Sequence, residues 1–137
     1  MRVDIYLRFN GTCEEAFRFY AQLCGGAIES MQRYEDSPAQ DQVPPALRRQ
    51  VLHARLRLGD QIIMGSDAPP GRYQVPDGFS VSLTIDAVAD AERVFKALSE
   101  KGTVQMAMAQ TFFAKRFGMA TDRFGTPWMV LCQPEGG

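Results

Sequence analysis

The sequence predicts an α+β protein built from two copies of a βαβββ module, and three observations carry that prediction. Two alternating strand patterns superpose at an offset of 76, the helical patterns after them superpose at an offset of 75, and each half closes on a hairpin with a turn glycine. Strand phase, helix phase and turn position therefore agree, which accidental similarity rarely achieves.

The first element is VDIYLRF, residues 3 to 9, with Val3, Ile5, Leu7 and Phe9 on one face and Asp4, Tyr6 and Arg8 on the other. Alternation of this kind is the mark of a half-buried strand. A helix follows, in which Thr12 and Glu15 have capping-box spacing, Cys13, Ala16, Phe17, Tyr20, Leu23 and Cys24 form an apolar stripe, and Gly25-Gly26 is the stop. AIESMQRY, VLHARLRL, a Gly59-Asp60 turn and QIIMGSD then read as three strands and complete the first module at residue 67.

Residues 35 to 50, EDSPAQDQVPPALRRQ, interrupt that module with a polar, aperiodic stretch holding three prolines, read as either a lid or a disordered loop, with the loop preferred. Residues 68 to 78, APPGRYQVPDG, read as a linker because of their Pro and Gly content. FSVSLTI, residues 79 to 85, opens the second module with the phase of the first strand. Asp86 can cap the next helix, Val88, Ala91, Phe95 and Leu98 form its stripe, and Gly102 ends it. TVQMAMA, a strand within FFAKRFGMATD, the turn at 122 to 125 and TPWMVLC follow, and aligning Gly59 with Gly125 pairs Ile63 with Met129.

At 137 residues the chain fits one domain, with module 1–67, linker 68–78 and module 79–137. A net charge of -1 with scattered basic residues offers no footprint for a phosphate backbone, so nucleic acid is not an expected partner. No apolar run approaches the roughly 20 residues of a membrane span, and MRVDIYLRF alternates where a signal peptide would be continuously apolar, so a cytoplasmic protein with no membrane partner is expected. Cys13, Cys24 and Cys132 form no CxxC pair and read as buried, reduced thiols.

The stretches YLRFNGTCEEAFRFY, LHARLRLGDQIIMGSD and KRFGMATDRFGTPWMV together resemble the vicinal oxygen chelate superfamily, which includes glyoxalase I, bleomycin-resistance proteins and extradiol dioxygenases, and within it the PhnB-like branch. The resemblance covers most of the chain. It implies two modules forming a cupped, incompletely closed barrel with the helices outside, and a homodimer whose pockets the partner completes. It also implies that metal-dependent members hold a divalent cation in the cup with His, Gln and Glu side chains from the first and last strands of each module. Transferred by strand phase, those positions are Asp4, Ile63, Ser80 and Met129, of which only Asp4 is a hard donor. A thioether is soft and suits Cu(I), and an open catalytic zinc site needs about three protein donors. A one-residue shift would substitute Tyr6, Ser82 and Trp128 without restoring them. The expectation is a fold that has lost the superfamily metal and needs no cofactor.

The remaining candidates are organic contacts. His53, the sole histidine, shares a strand face with Arg55 and Arg57 and would serve as a general base or in a structural or partner-contacting role. Ser66 and Asp67 end the last strand of the first module, as a polar rim or as a cap of the linker turn. Thr111-Phe112-Phe113-Ala114-Lys115-Arg116 sets two aromatics beside two cations, and Tyr6 and Trp128 have rings with a polar end. The candidate ligand-binding set is thus Tyr6, His53, Ser66, Asp67, Phe112 and Trp128, with His53 and Asp67 the catalytic candidates. Some PhnB-like proteins are labelled demethylubiquinone methyltransferases, but S-adenosylmethionine chemistry usually follows a Gly-rich loop after the first strand, and here NGTCEEAF follows. Nor is there a GxSxG elbow, a P-loop or a GxGxxG. Two readings follow: metal-independent binding of a small organic molecule, or a small-metabolite enzyme of lyase, isomerase or dioxygenase type, either metal-free through His53 or Asp67 or dependent on a divalent cation held by other ligands.

Overall fold

The computed structural model describes residues 1–38 and 40–133. Its elements run β1 (Ile5–Phe9), α1 (Cys13–Cys24), β2 (Ala27–Arg33), β3 (Val51–Leu58), β4 (Gln61–Asp67), β5 (Val81–Thr84), α2 (Val88–Ser99), β6 (Thr103–Ala109), β7 (Arg116–Thr121) and β8 (Pro127–Cys132). Two open four-stranded sheets result, ordered β1-β4-β3-β2 and β5-β8-β7-β6. In each, the first strand lies parallel to the last and the others run antiparallel. This is the expected α+β architecture of two βαβββ modules, and the chain divides into two compact units between Gln74 and Val75.

The first strands are shorter than the alternation predicts. Val3 is 85% and Phe79 48% exposed, and both precede their strands, whereas Leu7, Phe9 and Val81 are buried. In the first module α1 lays Ala16, Phe17 and Tyr20 onto its sheet, with the Phe9 and Phe17 rings edge to face at 5.9 Å. Gly65 permits that approach, because a Cβ there would come within 2.7 Å of the Phe17 ring. In the second, Ala91, Val94, Phe95 and Leu98 are the buried stripe of α2, and Ala120, Trp128 and Val130 are buried on the strands.

The helix ends differ from the local reading. Thr12 makes no side-chain cap, and Ala87 rather than Asp86 occupies the α2 N-cap, again without a side-chain bond. Gly25 does close α1, at φ 68, as the Gly-Gly stop requires. At the end of α2 it is Lys101 that takes positive φ, at 59, and Gly102 is demanded by contact, since a Cβ there would meet the Thr121 carbonyl oxygen.

The stretch 35–50 is neither an open lid nor structureless over its described residues. It carries short 3₁₀ turns at Tyr34–Asp36, Gln40–Gln42 and Pro45–Leu47. The Tyr34 and Glu35 amides donate to the Gln50 and Arg48 carbonyls at 3.0 and 2.8 Å, and Leu47 is buried. No helix among the described residues is long and apolar enough to cross a membrane.

Registers fix which side chains share a face. Tyr6 pairs with Met64 and Leu7 with Gly65 in the first module, while Ser82 pairs with Met129 and Val81 with Trp128 in the second. Paired residues point to the same side of a sheet. Met64, and not Ile63, is therefore the counterpart of Met129, and Ile63 is buried on the helix side with Leu7 and Gly65. The alignment on turn glycines fails because the hairpins differ in length. Leu58 pairs with Gln61 around a two-residue turn, whereas Thr121 pairs with Pro127 around residues 122 to 126. A slip of one residue exchanges the faces of a strand.

Candidate functional site

Asp67 ends β4 pointing beneath α1 and is 1% exposed. Its Oδ1 accepts from the Cys13 amide at 2.9 Å and its Oδ2 from the Val51 amide at 2.8 Å. One carboxylate thus satisfies a donor at the N-terminus of α1, where a negative charge is favoured, and another at the start of β3. Tyr34 adds its hydroxyl, donating to the Asp67 carbonyl at 2.9 Å. Asp67 is neither a rim residue nor a cap of the linker turn. Its neighbour Ser66 pairs with Arg8 and faces the other side, so the two do not act together.

The open face of the first module brings two candidates together. The Tyr6 hydroxyl lies 3.4 Å from His53 Nδ1, and the rings stack with centroids 5.8 Å apart and an interplanar angle of 28°. Beside them Glu29 accepts from Arg55 Nε at 2.8 Å and from Arg57 Nε at 2.7 Å. Those two bonds hold the Glu29 carboxyl below its ordinary range. Glu29 was not among the sequence candidates, because the bulge between Ile28 and Ser30 that aims it at both arginines has no local signature.

The second module contains an open cleft of about 430 Å³, lined among others by Phe79, Ser80, Gln105, Met119, Trp128 and Met129. Gln105 Nε2 donates to Thr121 Oγ1 at 3.0 Å. Trp128 reaches this cleft only marginally, being 1% exposed, with its indole N–H donating to Asp122 Oδ2 at 2.8 Å. Its polar end is therefore directed inward, contrary to the expectation that it would face a ligand. Phe112 lies elsewhere, 99% exposed in the connection between β6 and β7, where it meets Phe113 edge to face at 5.2 Å. Met119 and Gln105 are among the cleft residues the sequence does not single out, and Phe79, expected on the apolar face of its strand, lines the cleft instead; alternation through KRFGMATD would have placed Met119.

The side chains do not fit the hard divalent cation of the superfamily. In the first unit Asp4 is tied to Arg2 Nε at 2.9 Å and the β4 residue paired with Tyr6 is Met64; in the second, Ser82 of β5 pairs with Met129 of β8. Thioethers and a lone hydroxyl are poor ligands for Zn, Mn or Fe(II). Among the described residues no three His, Cys, Asp or Glu side chains gather in one place.

The thiols are set apart by burial. Cys13 and Cys132 are fully buried and Cys24 is half-buried. Burial, then the charges of Asp67 and Glu14, push the Cys13 thiol far above its ordinary range. We expect only one of the three thiols to react promptly with Ellman's reagent in the native protein, and all three in denaturant. Because unfolded Cys13 releases its proton near 9.0 while the folded thiol retains it, stability is intact below that pH and falls as pH rises above it. Tyr34, also raised by burial and by Asp67, acts in the same direction. A urea midpoint that is flat from pH 8 to about 10.5 would contradict this.

The fold is that of glyoxalase/bleomycin-resistance/dioxygenase domains. A domain so titled from Frankia sp. EAN1pec matches with a TM-score of 0.68 at 12% identity, covering 100% of this chain and 94% of that one, a likeness of fold alone. Residues 2–131 match the family model described as 3-demethylubiquinone-9 3-methyltransferase. Protein YjdN of Escherichia coli K12 is 33% identical over 141 residues, covering 95% of this chain and 94% of the relative. The crystal structure of protein PA1353 from Pseudomonas aeruginosa is 46% identical with a TM-score of 0.89, covering 97% and 98%. A PhnB protein from Bacillus cereus, titled a putative 3-demethylubiquinone-9 3-methyltransferase, is 25% identical with a TM-score of 0.82, covering 96% and 99%. The chain belongs to this PhnB-like family, whose model carries the 3-demethylubiquinone-9 3-methyltransferase description.

Proposed function

We propose that the protein binds a small organic molecule of largely apolar character, without a hard divalent cation, in the cleft of the second module. The observation that carries this reading is the cleft itself: an apolar wall of Phe79, Met119 and Met129 with polar groups from Asp77, Ser80, Gln105 and Thr121, at a volume of about 430 Å³. Pockets for small ligands have this size and this balance. Methyl transfer receives no support from the residues, since β1 leads to α1 through Asn10-Gly11-Thr12, without the Gly-rich loop after the first strand that S-adenosylmethionine enzymes of Rossmann-like fold usually have. A homodimer, implied by the family, and a cytoplasmic setting belong to the same proposal.

The test is fluorescence titration with anilinonaphthalene sulfonate, followed by displacement with a panel of small aromatic and aliphatic molecules. Saturable binding of one probe per chain that is indifferent to EDTA is expected. Phe79→Ala should weaken it about tenfold, corresponding to about 1.4 kcal/mol. Probe binding that Phe79→Ala and Met129→Glu both leave unchanged would remove the cleft from consideration.

A second reading, a small-metabolite enzyme, is favoured by one observation, the Tyr6–His53 contact of 3.4 Å on the open face of the first module. An imidazole beside a phenol is a plausible proton-transfer pair. It predicts that a displacing molecule is converted to product and that His53→Ala stops conversion without changing the melting temperature.

A further inference from the structure

We propose that Met106, Met119 and Met129 form a binding site for one soft monovalent cation, Cu(I) or Ag(I), through their thioether sulfurs. The registers place the three side by side on adjacent strands: Met106 of β6 pairs with Met119 of β7, and Met119 pairs with Met129 of β8. Directly opposed residues hold their Cβ atoms about 4.5–5.5 Å apart, and the unbranched methionine side chain has three rotatable bonds with which to turn its sulfur toward a neighbour's. Met119 stands in the middle, with a donor on either side.

The surroundings select the ion by softness. Met119 and Met129 line the cleft and are partly exposed, and Met106 is 47% exposed on the edge strand, so an ion can reach the row. The partner of Met129 on the next strand is Ser82, a hydroxyl. The carboxylate at the cleft, Asp77, accepts from the Gly78 amide at 2.8 Å. Three thioethers in a row disfavour Zn, Mn and Fe(II) and favour Cu(I), which soft sulfur ligands select. The hard cation that the superfamily resemblance implies for its metal-dependent members and this site therefore call for opposite chemistry.

The sequence supplies internal controls. Of the seven methionines, Met108 lies on β6 but points to the other face, its sulfur 2.8 Å from where a Cβ on Gly118 would stand, and Met64 lies in the first module. A thiol would outcompete a thioether, so the half-buried Cys24 is first replaced in a Cys24→Ser background.

The experiment titrates the full chain with Cu(I) against bicinchoninate under anaerobic, reducing conditions, and with Ag(I) while observing the methionine methyl groups by NMR. One ion per chain is expected, with the Met106, Met119 and Met129 methyl signals shifting and those of Met64 and Met108 unmoved. Met119→Leu and Met129→Leu, near-isosteric changes that leave the fold intact, should each weaken binding at least about tenfold, since even supporting groups of metal sites contribute about 10–100-fold. Met108→Leu should have no effect. Loss of all Cu(I) binding in Cys24→Ser, or binding that Met119→Leu does not change, would overturn the proposal and leave the row as an adaptable apolar floor. Either result is independent of whether the dye binds, so this proposal and the organic-ligand reading fail separately.

Discussion

Asp67→Ala is expected to destabilise the protein by about 4 kcal/mol and to lower its urea midpoint by about 2 M. The carboxylate accepts from two backbone amides that are distant in sequence, Cys13 at 2.9 Å and Val51 at 2.8 Å, in a place that water does not reach. Truncation strands both donors, and each buried unsatisfied group costs about 1–3 kcal/mol, more when the lost acceptor is charged. It also takes a negative charge from the N-terminus of α1. Total stabilities run at about 5–15 kcal/mol, so a loss of this size puts the variant near the limit of folding. Equilibrium unfolding followed by circular dichroism measures it. An unchanged midpoint together with loss of a reaction would instead restore Asp67 as a catalytic group.

Asp67 also shows which parts of the structure local sequence carries and which it does not. Strand and helix periods are local, so QIIMGSD and TVQMAMA coincide with β4 and β6, and the apolar stripes of α1 and α2 are the buried ones. A helix cap looks local too, and Thr12 and Asp86 satisfied its spacing. The donor at Cys13 nevertheless finds its acceptor at Asp67, through the strand pairing that brings the end of β4 beside the start of α1. No pattern within a window of a dozen residues contains that partner.

The site was legible to the same extent. Tyr6 and His53, assigned to one face by alternation, do meet, because alternation and strand order suffice for that. Ile63 was misplaced by a single residue, because register depends on turn geometry, and two hairpins with the same glycine need not have the same length. Phe112 and the polar end of Trp128, whose residue does line the cleft, were misplaced for a different reason. An aromatic residue serves equally as core or as pocket wall, and only the bonding of its polar end, or its exposure, separates the two. Trp128 gives its N–H to Asp122, and Phe112 stands in solvent.

Asp122→Ala carries the other large expected effect, a loss of about 3–5 kcal/mol read as both a lower urea midpoint and a red shift in emission from the sole tryptophan. Asp122 is 4% exposed and accepts three hydrogen bonds: from the Phe124 amide at 2.9 Å and the Thr126 amide at 3.0 Å on Oδ1, and from Trp128 Nε1 at 2.8 Å on Oδ2. The first two shape the turn, as an Asp at the head of a turn does, and its own amide closes the loop onto the Thr126 carbonyl at 2.9 Å. The third ties that turn to the largest side chain of the module's core. Asp122→Asn separates these roles. Its amide oxygen can still accept from the turn amides while its NH₂ opposes the indole N–H, so it should lose only about 1–2 kcal/mol and still shift the emission. Equal losses in the two variants would mean that the indole bond, and not the turn, holds β8 in place. Because Trp128 and Met129 are consecutive on β8, a turn that slackens in Asp122→Ala should also weaken dye binding in the cleft, at urea concentrations where the fold persists.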